Sequence, residues 1–250
     1  MKTPLLSSLA FGLLLSCPVH GQSKQAKEGN PFNDIDAQIR VQVEYIEVSQ
    51  DQFTELMFGD KPAKNDLELR KQLGKMIKDG KAKVVENLLC TTTTGQKATT
   101  ESIEEYIYPT EYDPADFFPI PKPDADDTKT TAPIDVEAAG PNPTAFETRN
   151  LGPTLEILPS LSEKDGEIRL RIVSEIVVHV GDVIWGEWKD KRGENPIKMP
   201  TFYTLRFNCA VRLMNGKPML ANALTPMNDK GKSDFSRKVL TFVRATVIEP

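Results

Sequence analysis

The chain has 250 residues with a formal charge of −5, 27% charged and 39% hydrophobic residues. A mildly acidic chain with Lys and Glu interspersed argues against nucleic acid as the main partner. Beyond the first residues no apolar run reaches the length of a membrane-spanning helix, which leaves a strand-built membrane span open.

The N-terminus reads as an export signal over residues 1–21: Lys2, then an apolar stretch from Leu5 to Leu15 that is too short to span a bilayer. Two processing readings fit it. Val19-His20-Gly21 resembles a small-residue cleavage site, and Leu14-Leu15-Ser16-Cys17 resembles a lipobox that would lipidate Cys17. Both export the chain. Residues 22–37 read as a polar, flexible leader, and 38–250 as one domain.

Alternation of Ile39, Val41, Val43 and Tyr45 with polar residues predicts a half-buried strand, and Ile46 and Val48 on the opposite parity predict a bulge near Tyr45. Ser49 and Gln52 form a capping-box pattern ahead of Phe53, Leu56 and Met57. A second helix is expected from Asp66 to Asp79, with Leu69, Leu73, Met76 and Ile77 on one face and Gly80 ending it. Val84 to Thr94 reads as a strand broken at Thr94-Gly95-Gln96, and Ala98 to Tyr108 as its returning partner, stopped by Pro109.

Asp113 to Pro143 carries seven prolines and the acids Asp124, Asp126 and Asp127. It reads as an extended loop. Then Leu155 and Ile157, a turn at Lys164-Asp165-Gly166, and Ile168, Leu170 and Ile172 spell a hairpin that begins in loop residues. Ile176, Val178 and Val180 extend its second strand or start another. Gly181 to Pro200 reads as a loop holding Trp185 and Trp188. Tyr203, Leu205, Phe207, Cys209, Val211 and Leu213 share one strand face, followed by Asn215-Gly216, a strong hairpin signal. A polar loop from Asn228 to Ser236 leads to a last strand, Val239 to Ile248, apolar on both parities as if covered on both faces. The expected fold is mainly β (α+β): antiparallel sheets packed as a sandwich or curved sheet, with two short helices near the N-terminus.

Catalytic and metal-binding constellations are missing from the pattern. Past the signal, His179 is the only histidine; zinc needs three or four ligands and a triad needs a base beside its nucleophile. His179 therefore reads as a structural strand residue. Asp124, Asp126 and Asp127 lack the spacing of a calcium loop. Cys90 and Cys209 fit either one disulfide or two buried thiols. No catalytic residue, metal or cofactor is expected, and the chain reads as a non-enzyme. Phe117, Phe118, Trp185 and Trp188 remain as a candidate interaction surface.

In this order the motifs resemble the C-terminal secretin domain of bacterial type II and III secretion channels and type IV pilus secretins. Leu88 to Ala98, with Thr94, Gly95 and Gln96 at its turn, resembles that family's threonine-rich turn. Arg149, Asn150 and Gly152, with Leu155, Pro159, Asp165, Gly166 and Ile168 to Ile172, resemble its central hairpin. Tyr106 to Tyr112 is similar to the form found in small secretin-related proteins of verrucomicrobial pilus loci. The resemblance covers roughly residues 38 to 249. It implies a structural or accessory component of a type IV pilus or type II secretion-like system in the periplasm, outer membrane or cell surface. Its partners would be other envelope proteins, further copies of itself, or the outer membrane. Leu220 to Leu224 stands where channel-forming members carry Gly-Gly, and Asn228 to Ser236 is short where they carry a long loop. Those departures predict the family's fold without its full pore. The alternatives are a ring-forming channel and an independent Ig-like β-sandwich adhesin or binding module, the latter matching a count of seven or eight strands.

Overall fold

The computed structural model describes residues 37–114, 117–119, 136–138, 140–162, 166–190 and 193–248. The signal, Cys17, nearly all of the leader, the aspartates at 124, 126 and 127, Lys164 and Asp165 lie outside the described residues.

The fold is mainly β and antiparallel, with two helices early in the chain. One sheet has the order β12-β13-β1-β2, made from Pro218–Leu224, Arg237–Ile248, Gln38–Ser49 and Lys83–Thr93. The other has the order β11-β8-β7-β3, made from Ile197–Met214, Glu167–Gly186, Asn142–Leu161 and Ala98–Glu101, with β4 (Glu104–Asp113) also pairing β7. The helices are α1 (Gln50–Phe58) and α2 (Asp66–Lys78). Short pairs join β5 (Phe117–Pro119) to β6 (Val136–Ala138) and β9 (Lys189–Asp190) to β10 (Gly193–Glu194).

The two sheets face one another across the main core. Ile39, Val41, Val43 and Tyr45 of the first sheet meet Leu155, Ile157, Ile168, Leu170 and Ile172 of the second. These are the alternating positions of the sequence, and burying each such side chain contributes about 1.5–3 kcal/mol. On its other face the first sheet carries the helices: Ile46, Val48, Leu240 and Phe242 pack with Leu69 and Leu73. This explains the change of parity after Tyr45. The strand β1 pairs β13 without interruption, and Ile46 and Val48 simply face the helices. A bulge does occur beside Tyr45, in the pairing with β2, where Val85 is skipped. The last strand is buried continuously from Val239 to Val243, as its sequence predicts.

Both helix starts are closed locally. Ser49 Oγ accepts from the Gln52 amide at 3.2 Å, and Gln52 Oε1 accepts from the Ser49 amide at 3.0 Å, completing the capping box. Asn65 caps α2 through the Glu68 amide at 2.9 Å. Gly80, at φ +69, follows α2 in the left-handed region that glycine tolerates.

Five sequence expectations need correction. Ala98 to Tyr108 does not return along β2: it breaks at Ser102-Ile103 into β3 and β4, and both pair β7 in the other sheet. Pro109 does not stop β4, because the strand is an outer one and its register shifts just there. The segment before Leu155 is no loop: β7 begins at Asn142. Most of Gly181 to Pro200 is strand as well, in the far ends of β8 and β11. Asn215-Gly216 makes a tight turn, yet β11 and β12 lie in different sheets, so the turn is a corner and not a hairpin. Within Asp113 to Pro143, β5 and β6 form a short ribbon. The side chains of Phe117 and Phe118 lie outside the described residues.

Candidate functional site

The motif residues turn out to be joints. Thr94, Gly95 and Gln96 form the corner where the chain leaves the first sheet for the second. Thr94 is buried and its Oγ1 accepts from the Leu161 amide at 2.9 Å, while the Gly95 amide donates to the Pro159 carbonyl at 2.7 Å. Gly95 sits at φ +75, which favours glycine. Two motif segments that are far apart in sequence are thus stitched to each other. Cys90 and Cys209 are free thiols, both against the main core, so the disulfide alternative is not realised.

Gly152 is the second joint. It has φ +113, and a Cβ there would strike the Ser102 carbonyl, in the break between β3 and β4. It is also the last β7 residue paired to β8, opposite Val177. Beyond it the sheet forks. Residues 142–151 of β7 continue with β4 alone, and residues 178–186 of β8 continue with β11 alone. Each arm of the fork is a two-stranded ribbon.

The arms touch one another through polar and aromatic side chains. At the fork Arg149 reaches Glu175 at 3.4 Å. Further out, the Tyr106 ring stacks on His179 at 4.6 Å and meets the Phe202 ring edge-on at 5.9 Å. Asp182 Oδ1 lies 3.0 Å from His179 Nε2 and accepts from the Tyr106 hydroxyl at 3.5 Å. Burial, then the Asp182 charge, raises the Tyr106 pKa; burial and the Glu147 carboxylate raise that of Tyr108. At the tip Asn195 Nδ2 donates to the Pro141 carbonyl at 2.9 Å, and Trp188 stands against Gly140.

Apolar side chains are also exposed on both arms. Ile107 and Phe146 are exposed on one, and Val178, Val183, Ile184, Trp185 and Met199 on the other, with Trp185 at 73%. Of the two predicted tryptophans, Trp185 is on this surface and Trp188 is half-buried between the arms. Asn150 is exposed on the first arm, and Gly166, at φ +60, ends the turn between β7 and β8. The cluster of Tyr106, Tyr108, His179, Asp182 and Phe202 was missed in the sequence. Its only signal was the alternation of Tyr106 and Tyr108, which needs the fork to acquire a partner.

Among the described residues no three His, Cys, Asp or Glu side chains converge to hold a metal, and no helix is long and apolar enough to cross a membrane. His179 has a carboxylate and a phenol beside it, with no hydroxyl or thiol nucleophile among its hydrogen-bond partners.

No family model and no curated protein matches this sequence. Among solved structures the chain is similar to the Salmonella SPI-1 type III secretion injectisome secretin InvG, at 12% identity and TM-score 0.44, covering 87% of this chain and 67% of that one. It is also similar to the V. cholerae type IV competence pilus secretin PilQ, at 12% identity and TM-score 0.41, covering 86% and 62%. The type II secretin GspD of enteropathogenic Escherichia coli gives 13% identity and TM-score 0.39, covering 86% and 70%. With TM-scores below 0.5, no residue role or activity passes from these proteins to this chain.

Proposed function

We infer that the protein is a non-enzymatic structural component of a cell-envelope apparatus of the secretin-like kind, serving a pilus or secretion system, and that it works by associating through its two arms. The observation that carries this reading is the fork. A two-stranded ribbon alone is marginal in water, and here two of them extend from one body with open strand edges and outward apolar side chains. Exposed edges of this kind are templates for further strands.

The strand directions fit such growth. Neighbours alternate from β11 through β8 and β7 to β4, so β11 and β4 run oppositely. The β11 edge of one copy would therefore continue antiparallel onto the β4 edge of the next. Residues 142–151 and 178–186 also have the length of a barrel strand that crosses a bilayer, about 9–11 residues. The motif order that resembles secretins, including the form similar to verrucomicrobial pilus-locus proteins, supplies the envelope setting and the export signal agrees with it.

The test is the solution mass of the exported chain by light scattering on a sizing column, with and without detergent. A multimer that needs detergent or grows in it is the expected result. A monomer indifferent to detergent overturns assembly through the arms.

A further inference from the structure

A band of cations runs around the corner between the two sheets, away from the residues that join the arms. Arg169 and Arg171 of β8 and Arg212 of β11 are exposed, and Arg169 and Arg212 are directly opposed across the ladder. Like charges so placed repel and weaken the sheet. Past Arg212 the chain turns at Asn215-Gly216 to exposed Lys217, and Arg244 of β13 stands opposite Pro218. Among the described residues none of these five cations forms an ion pair. The acids close by are few or engaged. Glu44 is held bidentately by Arg70 at 2.6 and 2.7 Å, and Asp66 accepts the Leu220 amide at 3.1 Å. Glu167 is opposite Met214.

Between the cations lies a groove. Two cavities of about 240 and 370 Å³ share Leu67 and Pro218. Arg70 and Arg244 line the first, Arg212 and Lys217 the second. Apolar groups lie among them: Leu67 and Met214 are exposed and Met219 lines the larger cavity, with the engaged carboxylates of Glu44 in the smaller and Asp66 in the larger.

The geometry points to this groove as a docking site for an acidic polypeptide segment that carries apolar side chains among its carboxylates. Charge complementarity selects an anion, in a chain that is itself net acidic. The apolar surface between the cations selects a polypeptide over a phosphate-bearing headgroup, which would leave Leu67 and Met214 uncovered. A carboxylate bound at Arg212, which lines the larger cavity, offsets the repulsion that Arg212 meets from Arg169 across the ladder. The site is independent of the arms, so it stands or falls separately from the assembly reading.

The probe is a fluorescein-labelled peptide of repeated Glu-Glu-Leu units, followed by anisotropy on the full exported chain. Binding is expected at low salt, weakening roughly tenfold between about 50 and 300 mM salt. Arg212→Glu combined with Lys217→Glu is expected to weaken it at least about tenfold, and Leu67→Ser about fivefold. Lys83→Glu, on β2, should leave it unchanged. All four positions are exposed or half-buried, and unchanged thermal midpoints confirm that the variants fold. Binding that survives the double charge reversal overturns the proposal. So does capture by phosphatidylglycerol vesicles, abolished by the same reversal, with the peptide left unbound.

Discussion

The body of the molecule and its two arms are built from the same strands and obey opposite rules. In the body β7 and β8 bury Leu155, Ile157, Leu170 and Ile172 between two sheets. Past Gly152 the same strands turn their apolar residues outward and join through Arg149–Glu175, Tyr106–His179 and Asn195–Pro141. Continuity of a strand does not carry its burial with it; what faces the strand decides. The body is stabilised within one chain, while the arms offer to a partner what the body keeps for itself.

The sharpest way to break that contrast is to truncate one apolar residue in each region. Leu170→Ala leaves a cavity at a position 1% exposed and should cost about 2–5 kcal/mol in urea unfolding. Ile107→Ala, at a position 64% exposed, should fall within about 0.5 kcal/mol of the parent. Comparable losses at both sites would mean that the arm is as tightly packed as the body.

A smaller effect is expected where the body holds an arm. Gly231, in the polar loop before β13, has φ +71, and any Cβ there overlaps Val180 of β8. Gly231→Val should cost on the order of 1–3 kcal/mol through the backbone and the overlap together. Hydrogen exchange should quicken in residues 178–186 and leave residues 168–172 protected. Uniform quickening of both stretches would deny that the arm opens by itself.

Within the body, Tyr45 gives an alkaline pH signature, in the same direction as those of Tyr106 and Tyr108 in the arms. Its hydroxyl donates to Ser174 Oγ at 2.6 Å, and Ser174 donates to the Thr154 carbonyl at 3.4 Å. Burial pushes the Tyr45 pKa up to about 12, with the Ser174 hydrogen bond opposing and Glu86 adding to the rise. The unfolded chain loses this proton near pH 10. A folded value above the unfolded one means that the contribution is complete below about pH 10 and is lost as pH rises towards 12. Tyr45→Phe should cost about 1 kcal/mol at neutral pH and flatten that alkaline decline. An unchanged decline in the variant would assign it to other groups.

The sequence announces the body far better than the arms, for a physical reason. Period-two alternation records burial on one face, so Ile39 to Tyr45 and Leu155 to Ile172 are legible, as is the cap at Ser49. Asn142 to Leu151 and Gly181 to Pro200 read as loops because their strands are not buried and carry Pro143, Pro200, Gly181 and Gly186. The corner glycines were legible as turns, but no local signal distinguishes a turn within one sheet from a corner between two. That is why Gly95 and Gly216 read as hairpin turns. The groove is lined from β1, α2, β11, β12 and β13, and no segment of the chain contains enough of it to be seen.

The smallest effect concerns the contact that makes the arms a pair. Tyr106→Ala removes the ring stacked on His179 and the hydroxyl shared with Asp182. Aromatic pairs of this kind contribute about 0.5–1.5 kcal/mol, and here that energy holds one ribbon to another without touching the body core. Global unfolding should barely move, while amides in residues 142–151 exchange faster. Phe202→Ala should act in the same direction, since its ring meets both Tyr106 and His179. In the double variant the two losses should fall short of their sum, because each removes part of one cluster. Strict additivity would mean that Tyr106 and Phe202 hold the arm by separate contacts, and the contrast between a body packed as a unit and arms tied at points would need a second tie.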